Sequence, residues 1–315
     1  MITVALIGTG MMVDFHLDAI AKDPDAKLVA ICTAHMESAK KAADPRGVAA
    51  YDDYTKMLDE VKPNAVIINL PHFLHEPCAK VCAEHGCHIL LEKPMSVSYE
   101  SCLRIIEVCK QNNVLLQIAH PQGFTAETRM AKKIIDSGEL GDLIMIQTQR
   151  TGTYYHEKRP KWFWKKETAG GGIWINLGAH CLDTFCQLTG SPIKSINGKC
   201  TYLDGMDVDV SAQAFMESES GVTGTVTLSG YNWSANDEST VHLTRGSLKL
   251  RGWQDLYISR GDDEWELVDC SEFALNPFDY QWPVFAEAVR TGKVTMCSGE
   301  YGANILWAIE QLWKE

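Results

Sequence analysis

The chain has no surplus of positive charge: 29 Lys and Arg stand against 41 Asp and Glu, a formal net charge of -12. A surface that tracks phosphates or anionic lipid needs a basic stripe, and a run as short as Lys161, Lys165 and Lys166 does not make one, so neither nucleic acid nor membrane is an expected partner. A Cys-x-x-Cys pair is also missing, although there are 11 cysteines. Scattered through strand-like and helix-like stretches, they read as buried reduced thiols and not as a disulfide framework. No apolar run approaches the roughly 18 residues of a membrane span. The first strand-like run starts at Ile2, which leaves no leader peptide to be expected before it, and linkers, repeats and low-complexity segments are absent. The expectation is a cytoplasmic, globular protein. At 315 residues and 45% hydrophobic content, the chain is long enough for two cored domains.

The first third alternates short β-rich runs with amphipathic stretches: Thr3 to Ile7, Met12 to Lys22, Leu28 to Cys32, Met36 to Ala43, and onward through Ala65 to Asn69, Glu76 to His85, His88 to Leu91, Tyr99 to Gln111 and Val114 to Ile118. This is the rhythm of βαβ units, so a parallel, doubly wound sheet is predicted over residues 1–120. Past His120 the pattern changes to a helix, several β-rich segments separated by turns, and a closing helix from Glu300 to Trp313. That reads as an α+β domain over 121–315, built on an open, mostly antiparallel sheet. The fold class is therefore α/β, an N-terminal doubly wound domain followed by this second domain.

Ile2 to Ile7 followed by Gly8-Thr9-Gly10-Met11-Met12-Val13 is a strand, a glycine turn and a helix start. The glycines let backbone approach a pyrophosphate, and the helix N-terminus offers N–H groups and the positive end of its dipole. Gly8, Gly10, Met11 and Met12 are thus candidate dinucleotide contacts. The end of the second strand should choose between NAD and NADP. It holds Cys32-Thr33-Ala34-His35, with no acid to repel a 2′-phosphate and no arginine to bind it, so Thr33 and His35 leave the choice open and lean toward NADP. Glu92-Lys93-Pro94 closes another strand, at the carboxyl end where open α/β sheets bind ligands. A lysine there can hydrogen-bond a reacting hydroxyl and favour a developing alkoxide. Leu70 and His75 border the loop after the fourth strand and, with Glu92 and Lys93, join the cofactor candidates. No metal site is expected, because His72 and His75 have no acidic or cysteine partner close in sequence.

Gly170-Gly171-Gly172 leads through Trp174 and Asn176 to His180 and Asp183, in a helix predicted to end at Gly190. On a helix Asn176 and His180, four apart, share one face, and Asp183 lies one further turn along. An imidazole held by a carboxylate is a suitable acceptor for an alcohol proton near neutral pH.

With these residues in view, the chain resembles the glucose-fructose oxidoreductase and inositol dehydrogenase family, often written Gfo/Idh/MocA. The resemblance covers nearly the whole chain: the N-terminal glycine turn, Pro71 to His75, Glu92-Lys93-Pro94, the Ser137 to Gly141 turn, the glycine run to His180, and Ser298-Gly299. It implies that Lys93 and His180 face a nicotinamide and the substrate carbinol. Two departures stand out. The family usually has aspartate where this chain has Asn176, and an Asn-x-Arg-Phe-like stretch where this chain has His120-Pro121-Gln122-Gly123-Phe124.

Substrate contacts are expected from His120, Arg150, Tyr154, Trp162, Trp174 and Asp183, since aromatic rings with polar neighbours suit a sugar face. The expected function is hydride transfer between a nicotinamide and a sugar, polyol or related cyclic alcohol, with Lys93, His180 and Asn176 catalytic. Two alternatives are a cofactor-retaining enzyme that cleaves or epimerises glycosides by transient oxidation, and a non-catalytic regulatory protein that binds NAD or NADP. A homodimer or homotetramer formed through the C-terminal sheet is also expected.

Overall fold

The structure is a computed structural model that describes residues 1–231, 234–261, 264–273 and 276–314. The alternating pattern folds as β1 (Ile2–Ile7), α1 (Val13–Ala21), β2 (Ala26–Cys32), α2 (Met36–Ala43), β3 (Ala49–Tyr51), α3 (Tyr54–Val61), β4 (Ala65–Ile68), α4 (His75–Glu84), β5 (His88–Glu92), α5 (Tyr99–Gln111) and β6 (Leu116–Ala119). Every pairing in this sheet is parallel, in the order β3-β2-β1-β4-β5-β6. The order reverses between β1 and β4. At such a switch point the loops after two neighbouring strands diverge and leave a crevice at their carboxyl ends. All four residues of β4 and of β6 are buried, as a sheet covered on both faces requires.

One core of this unit gathers Leu6, Ile31, Ile67 and Leu90 from the strands with Leu17 and Ile20 from α1. Phe278, Trp282 and Phe285 of α9 (Phe278–Thr291) complete it, and each such side chain contributes about 1.5–3 kcal/mol by leaving water. The Trp282 indole also donates to Asp23 Oδ2 at 2.9 Å. The compact units are therefore residues 1–119 with 278–303, and 120–277 with 304–315. A domain reading that assigns everything past 120 to the second half misplaces α9, because an apolar stripe shows that a helix packs and not which core receives it.

The second unit comprises α6 (Ala126–Ser137), β7 (Leu143–Thr151), α7 (Lys166–Ala169), a π-helical turn over Trp174–Gly178, α8 (Ala179–Thr189), β8 (Ile193–Tyr202), β9 (Asp209–Ser218), β10 (Thr223–Ser229), β11 (Asn236–Leu243), β12 (Gly246–Arg251), β13 (Asp255–Ser259), β14 (Glu266–Val268) and the later part of α10 (Gly299–Gln311). Its sheet runs β14-β13-β12-β11-β7-β10-β9-β8, antiparallel apart from the β7 and β10 pair. Along β9, Val210, Ala212, Ala214 and Met216 are buried, while Gln213 and Phe215 are exposed. That period of two puts one face on the core and leaves the other open. Phe185 of α8 seats over Gly224, where an added Cβ would come within 2.7 Å of its ring. Among the described residues no helix is long and apolar enough to cross a membrane.

Candidate functional site

In the first unit, Gly8 takes φ +97°, and a Cβ there would lie 2.2 Å from the Asn69 carbonyl oxygen, so only glycine fits. The Asn69 N–H donates to the Ile7 carbonyl at 2.8 Å, which ties together the ends of β1 and β4. Gly10 is exposed, and Met12, the N-cap of α1, gives that helix no side-chain bond. Met11 is 80% exposed. Asn69 is only 8% exposed, and its Nδ2 is buried with no hydrogen-bond partner among the described residues. Its Oδ1 lies 3.1 Å from where a Cβ on Gly10 would sit. An exposed glycine turn, an uncapped helix N-terminus and a buried donor lacking an acceptor form a set that fits a dinucleotide's diphosphate. At the end of β2, Thr9 Oγ1 donates to Thr33 Oγ1 at 3.4 Å, and His35 is the exposed N-cap of α2.

Lys93 follows β5 and is half-buried. Glu92 was expected on the cofactor; it sits behind the lysine instead. One of its oxygens meets His16 Nε2 at 2.8 Å and the other accepts the Lys93 N–H at 3.1 Å. The pair is buried, so the carboxylate holds the lysine's backbone against α1. His75, also expected on the cofactor, has no exposed surface. Its Nε2 meets the Leu70 carbonyl at 2.8 Å and its Nδ1 the Pro94 carbonyl at 3.1 Å, so the ring clamps the β4 loop to the loop after Lys93. Burial lowers the His75 pKa, against the opposing pull of the Leu70 carbonyl.

In the second unit, the glycine run is a packing requirement. A Cβ on Gly172 would fall 1.9 Å from the Asp209 carbonyl oxygen, and one on Gly171 would fall 2.5 Å from the Trp313 ring. The Asp209 carboxylate accepts the N–H groups of Gly172 at 3.0 Å and Trp174 at 2.7 Å. Burial raises the Asp209 pKa while those two donors oppose the rise. Trp174, expected at the substrate, has 0% exposure and donates its indole N–H to the Ile309 carbonyl at 3.1 Å. It is a core residue. Its ring fills the space beside Gly178, whose added Cβ would meet it at 2.5 Å.

The helix that carries His180 also differs from expectation. Asn176 lies in the π-helical turn and His180 in α8, so the wider turn breaks the simple four-residue alignment. Asn176 Nδ2 donates to the Tyr154 hydroxyl at 2.8 Å. Tyr154 is buried, with the Arg159 guanidinium 3.7 Å above its ring, and burial pushes its pKa up to about 12. Tyr154, expected at the substrate, is thus a buried partner of Asn176. Asp183, expected to hold His180, accepts the Gln122 N–H at 2.9 Å and Gln187 Nε2 at 3.2 Å, and lies 4.0 Å from Nδ1 of the buried His120. It anchors the segment after β6. Gln187 also occupies the space a side chain at Gly123 would enter, 2.4 Å from its Cβ position.

Arg150 pairs with Asp237 at 3.3 Å. Burial raises the Asp237 carboxyl and the guanidinium draws it back down. Trp162 is half-buried and stacked on Phe163 at 3.7 Å. Sequence reasoning missed Asn69, Gln122, Asp209 and Glu127. Glu127 is buried and accepts the Trp253 N–H at 2.9 Å. The one signal for Asn69 was a polar residue directly after the apolar run of β4.

Residues 2–120 match the family model described as an oxidoreductase family with an NAD-binding Rossmann fold, and residues 128–249 match the GFO/IDH/MocA C-terminal domain. The D-glucoside 3-dehydrogenase of Escherichia coli (strain K12) is 30% identical over 202 residues, 62% of this chain and 56% of that protein. The scyllo-inositol 2-dehydrogenase (NAD(+)) of Bacillus subtilis (strain 168) is 28% identical over 302 residues, 92% and 86% of the two chains. The chain spans about half the length of several curated relatives that it matches. In fold it is similar to the aldose-aldose oxidoreductase from Caulobacter crescentus, with a TM-score of 0.90 at 22% identity over 99% of this chain and 96% of that one. With both of its halves matched, the chain belongs to the GFO/IDH/MocA oxidoreductase family.

Proposed function

We propose that the protein is an NAD(H)-dependent oxidoreductase that transfers a hydride between the nicotinamide and a hydroxyl-bearing carbon of a sugar, polyol or related cyclic alcohol. The observation that carries this reading is the glycine turn at the β1/β4 switch point, with Lys93 at the carboxyl end of β5 in the same sheet. Against the lean toward NADP read from Thr33 and His35, NAD(H) is favoured because the matched family model is described as NAD-binding and a relative aligned over 92% of the chain is named for NAD(+). A bound nicotinamide supplies the hydride acceptor or donor.

The chain's own groups handle the proton and the oxygen. The Lys93 ammonium hydrogen-bonds the reacting oxygen and stabilises negative charge as it develops there. His180, 9% exposed at the start of α8, takes or returns the hydroxyl proton. Asn176, held by Tyr154, positions that hydroxyl through its amide. The Glu92 and His16 pair keeps the lysine's backbone in place. The open sheet face, with Met145, Phe215 and Leu267 exposed, is our candidate surface for self-association, and sedimentation velocity of a Phe215→Glu variant tests it.

Fluorescence titration with NADH and NADPH, followed by a panel of sugars and polyols at 340 nm, tests the main reading. Tighter NADH binding together with a substrate-dependent absorbance change supports it. Glycoside turnover with no net absorbance change would move the protein to the cofactor-retaining class. Failure to bind either nucleotide would end both readings.

A further inference from the structure

We propose that Asn69 is a cofactor-binding residue whose side-chain amide donates a hydrogen bond to the diphosphate of the dinucleotide; the inference rests on the nicotinamide-dinucleotide reading above. Ala65, Val66, Ile67 and Ile68 of β4 are all at 0% exposure, so packing alone calls for another apolar residue where the strand ends. The chain places an amide there, buries it, and leaves Nδ2 without a partner among the described residues. A buried donor without an acceptor costs folding free energy, and a protein carries that cost where a ligand completes the bond.

Two neighbours say which ligand group does so. Asn69 Oδ1 lies 3.1 Å from the Cβ position of the exposed Gly10, so the side-chain amide borders the turn and a half-turn about its Cβ–Cγ bond sets Nδ2 there in place of Oδ1. The nine-residue α1 starts just beyond, with no side-chain cap at its N-terminus. A diphosphate drawn to that helix end brings acceptor oxygens to a position where the protein has an unused donor.

The test compares wild type, Asn69→Ala and Asn69→Asp by fluorescence titration with NADH and with ADP-ribose, alongside ligand-free melting curves. Asn69→Ala should bind both ligands about 10–150-fold more weakly, the range expected for one hydrogen bond to a charged group. Asn69→Asp should lose about tenfold more, because a carboxylate then faces the phosphates. The ligand-free melting temperature of Asn69→Ala should equal or exceed that of wild type, since an unpartnered buried amide has been removed. If Asn69→Ala does not fold, Asn69→Ser serves in the same comparison.

Unchanged affinities in both variants would overturn the proposal. So would weaker NADH binding with ADP-ribose binding intact, which would place the contact elsewhere on the cofactor. A fall in melting temperature that matches the loss of affinity would make Asn69 merely structural. Wild type that binds neither NADH, NADPH nor ADP-ribose would sink the dinucleotide reading itself, a result distinct from any of these.

Discussion

Gly8 and Gly10 stand beside Asn69, whose Nδ2 has no acceptor among the described residues; Gly172, the last of the second glycine run, stands beside Asp209, whose carboxylate accepts from Gly172 and Trp174. Gly10 is exposed, whereas all three residues of the second run are buried. In the first unit Gly8 makes room for the Asn69 carbonyl, 2.2 Å from where its Cβ would lie, and only the exposed Gly10 leaves room that the protein does not fill. In the second the missing side chains make room for the protein's own groups, the Asp209 backbone and the Trp313 ring. One sequence signal thus has two physical causes, and what separates them is whether the neighbouring polar groups are already satisfied.

The comparison breaks most visibly at Gly172. A Cβ there meets backbone at 1.9 Å and cannot be relieved by a rotamer change, so Gly172→Ala should cost more than about 4 kcal/mol and yield insoluble or partly unfolded protein. Urea unfolding, or recovery in the soluble fraction, measures this. A well-folded Gly172→Ala would mean that the run is not a packing device. Next in size is Lys93→Ala, expected to reduce turnover by about 10²–10⁴ with NADH affinity changed less than about threefold. Near-normal turnover would remove Lys93 from the chemistry.

Gly10→Ala is the counterpart to Gly172→Ala. Its Cβ would lie 3.1 Å from a side-chain atom, so stability should change by less than about 1 kcal/mol, while NADH binding weakens by about tenfold as the methyl intrudes on the turn. A melt and a titration on one sample decide it; a large stability loss would erase the contrast between the two runs. Smaller again is Tyr154→Phe, which removes the hydroxyl that accepts from Asn176. Substrate KM should rise by about three- to tenfold, with NADH affinity unaltered. An unchanged KM would detach Asn176 from substrate positioning.

Much of the architecture was readable in the chain because it is written in periods. Continuous apolar runs between amphipathic stretches predict the parallel sheet, and alternation along β9 predicts the half-covered one. Lys93 was legible for a similar reason, since a polar residue that ends such a run must sit at a strand's carboxyl end. What stayed hidden was the direction and partnership of side chains. Trp174 and Tyr154 follow the same aromatic pattern whether they face a ligand or the core, and only the fold shows both buried. Asp183 looked like a partner for His180, and its contacts with Gln122 and Gln187 depend on residues 61 and 4 positions away. The π-helical turn before His180 and the return of α9 to the first unit are set by tertiary packing, to which a local pattern is blind.

The smallest effect concerns the buried titratable groups, which differ in kind between the units. In the first, burial lowers the pKa of His75. A base whose folded pKa lies below its unfolded value adds stability that is present above the ordinary histidine pKa of 6.5 and is lost as pH falls toward the folded value. In the second, burial raises the carboxyls of Glu127, Asp209 and Asp237. Acids raised in this way contribute stability that is present below their unfolded pKa and lost as pH rises through the folded one, so mild acid relieves them. Between pH 7 and about 5.5 the first unit should therefore lose stability while the second holds or gains. Hydrogen exchange, corrected for intrinsic rate, should show peptides of β4 and α4 losing protection before those of β9 and β11, and His75→Gln should flatten the first slope. If the two units lose protection together, the pH response does not come from these buried groups, and the opposition between a buried base in one unit and buried acids in the other has no bearing on stability.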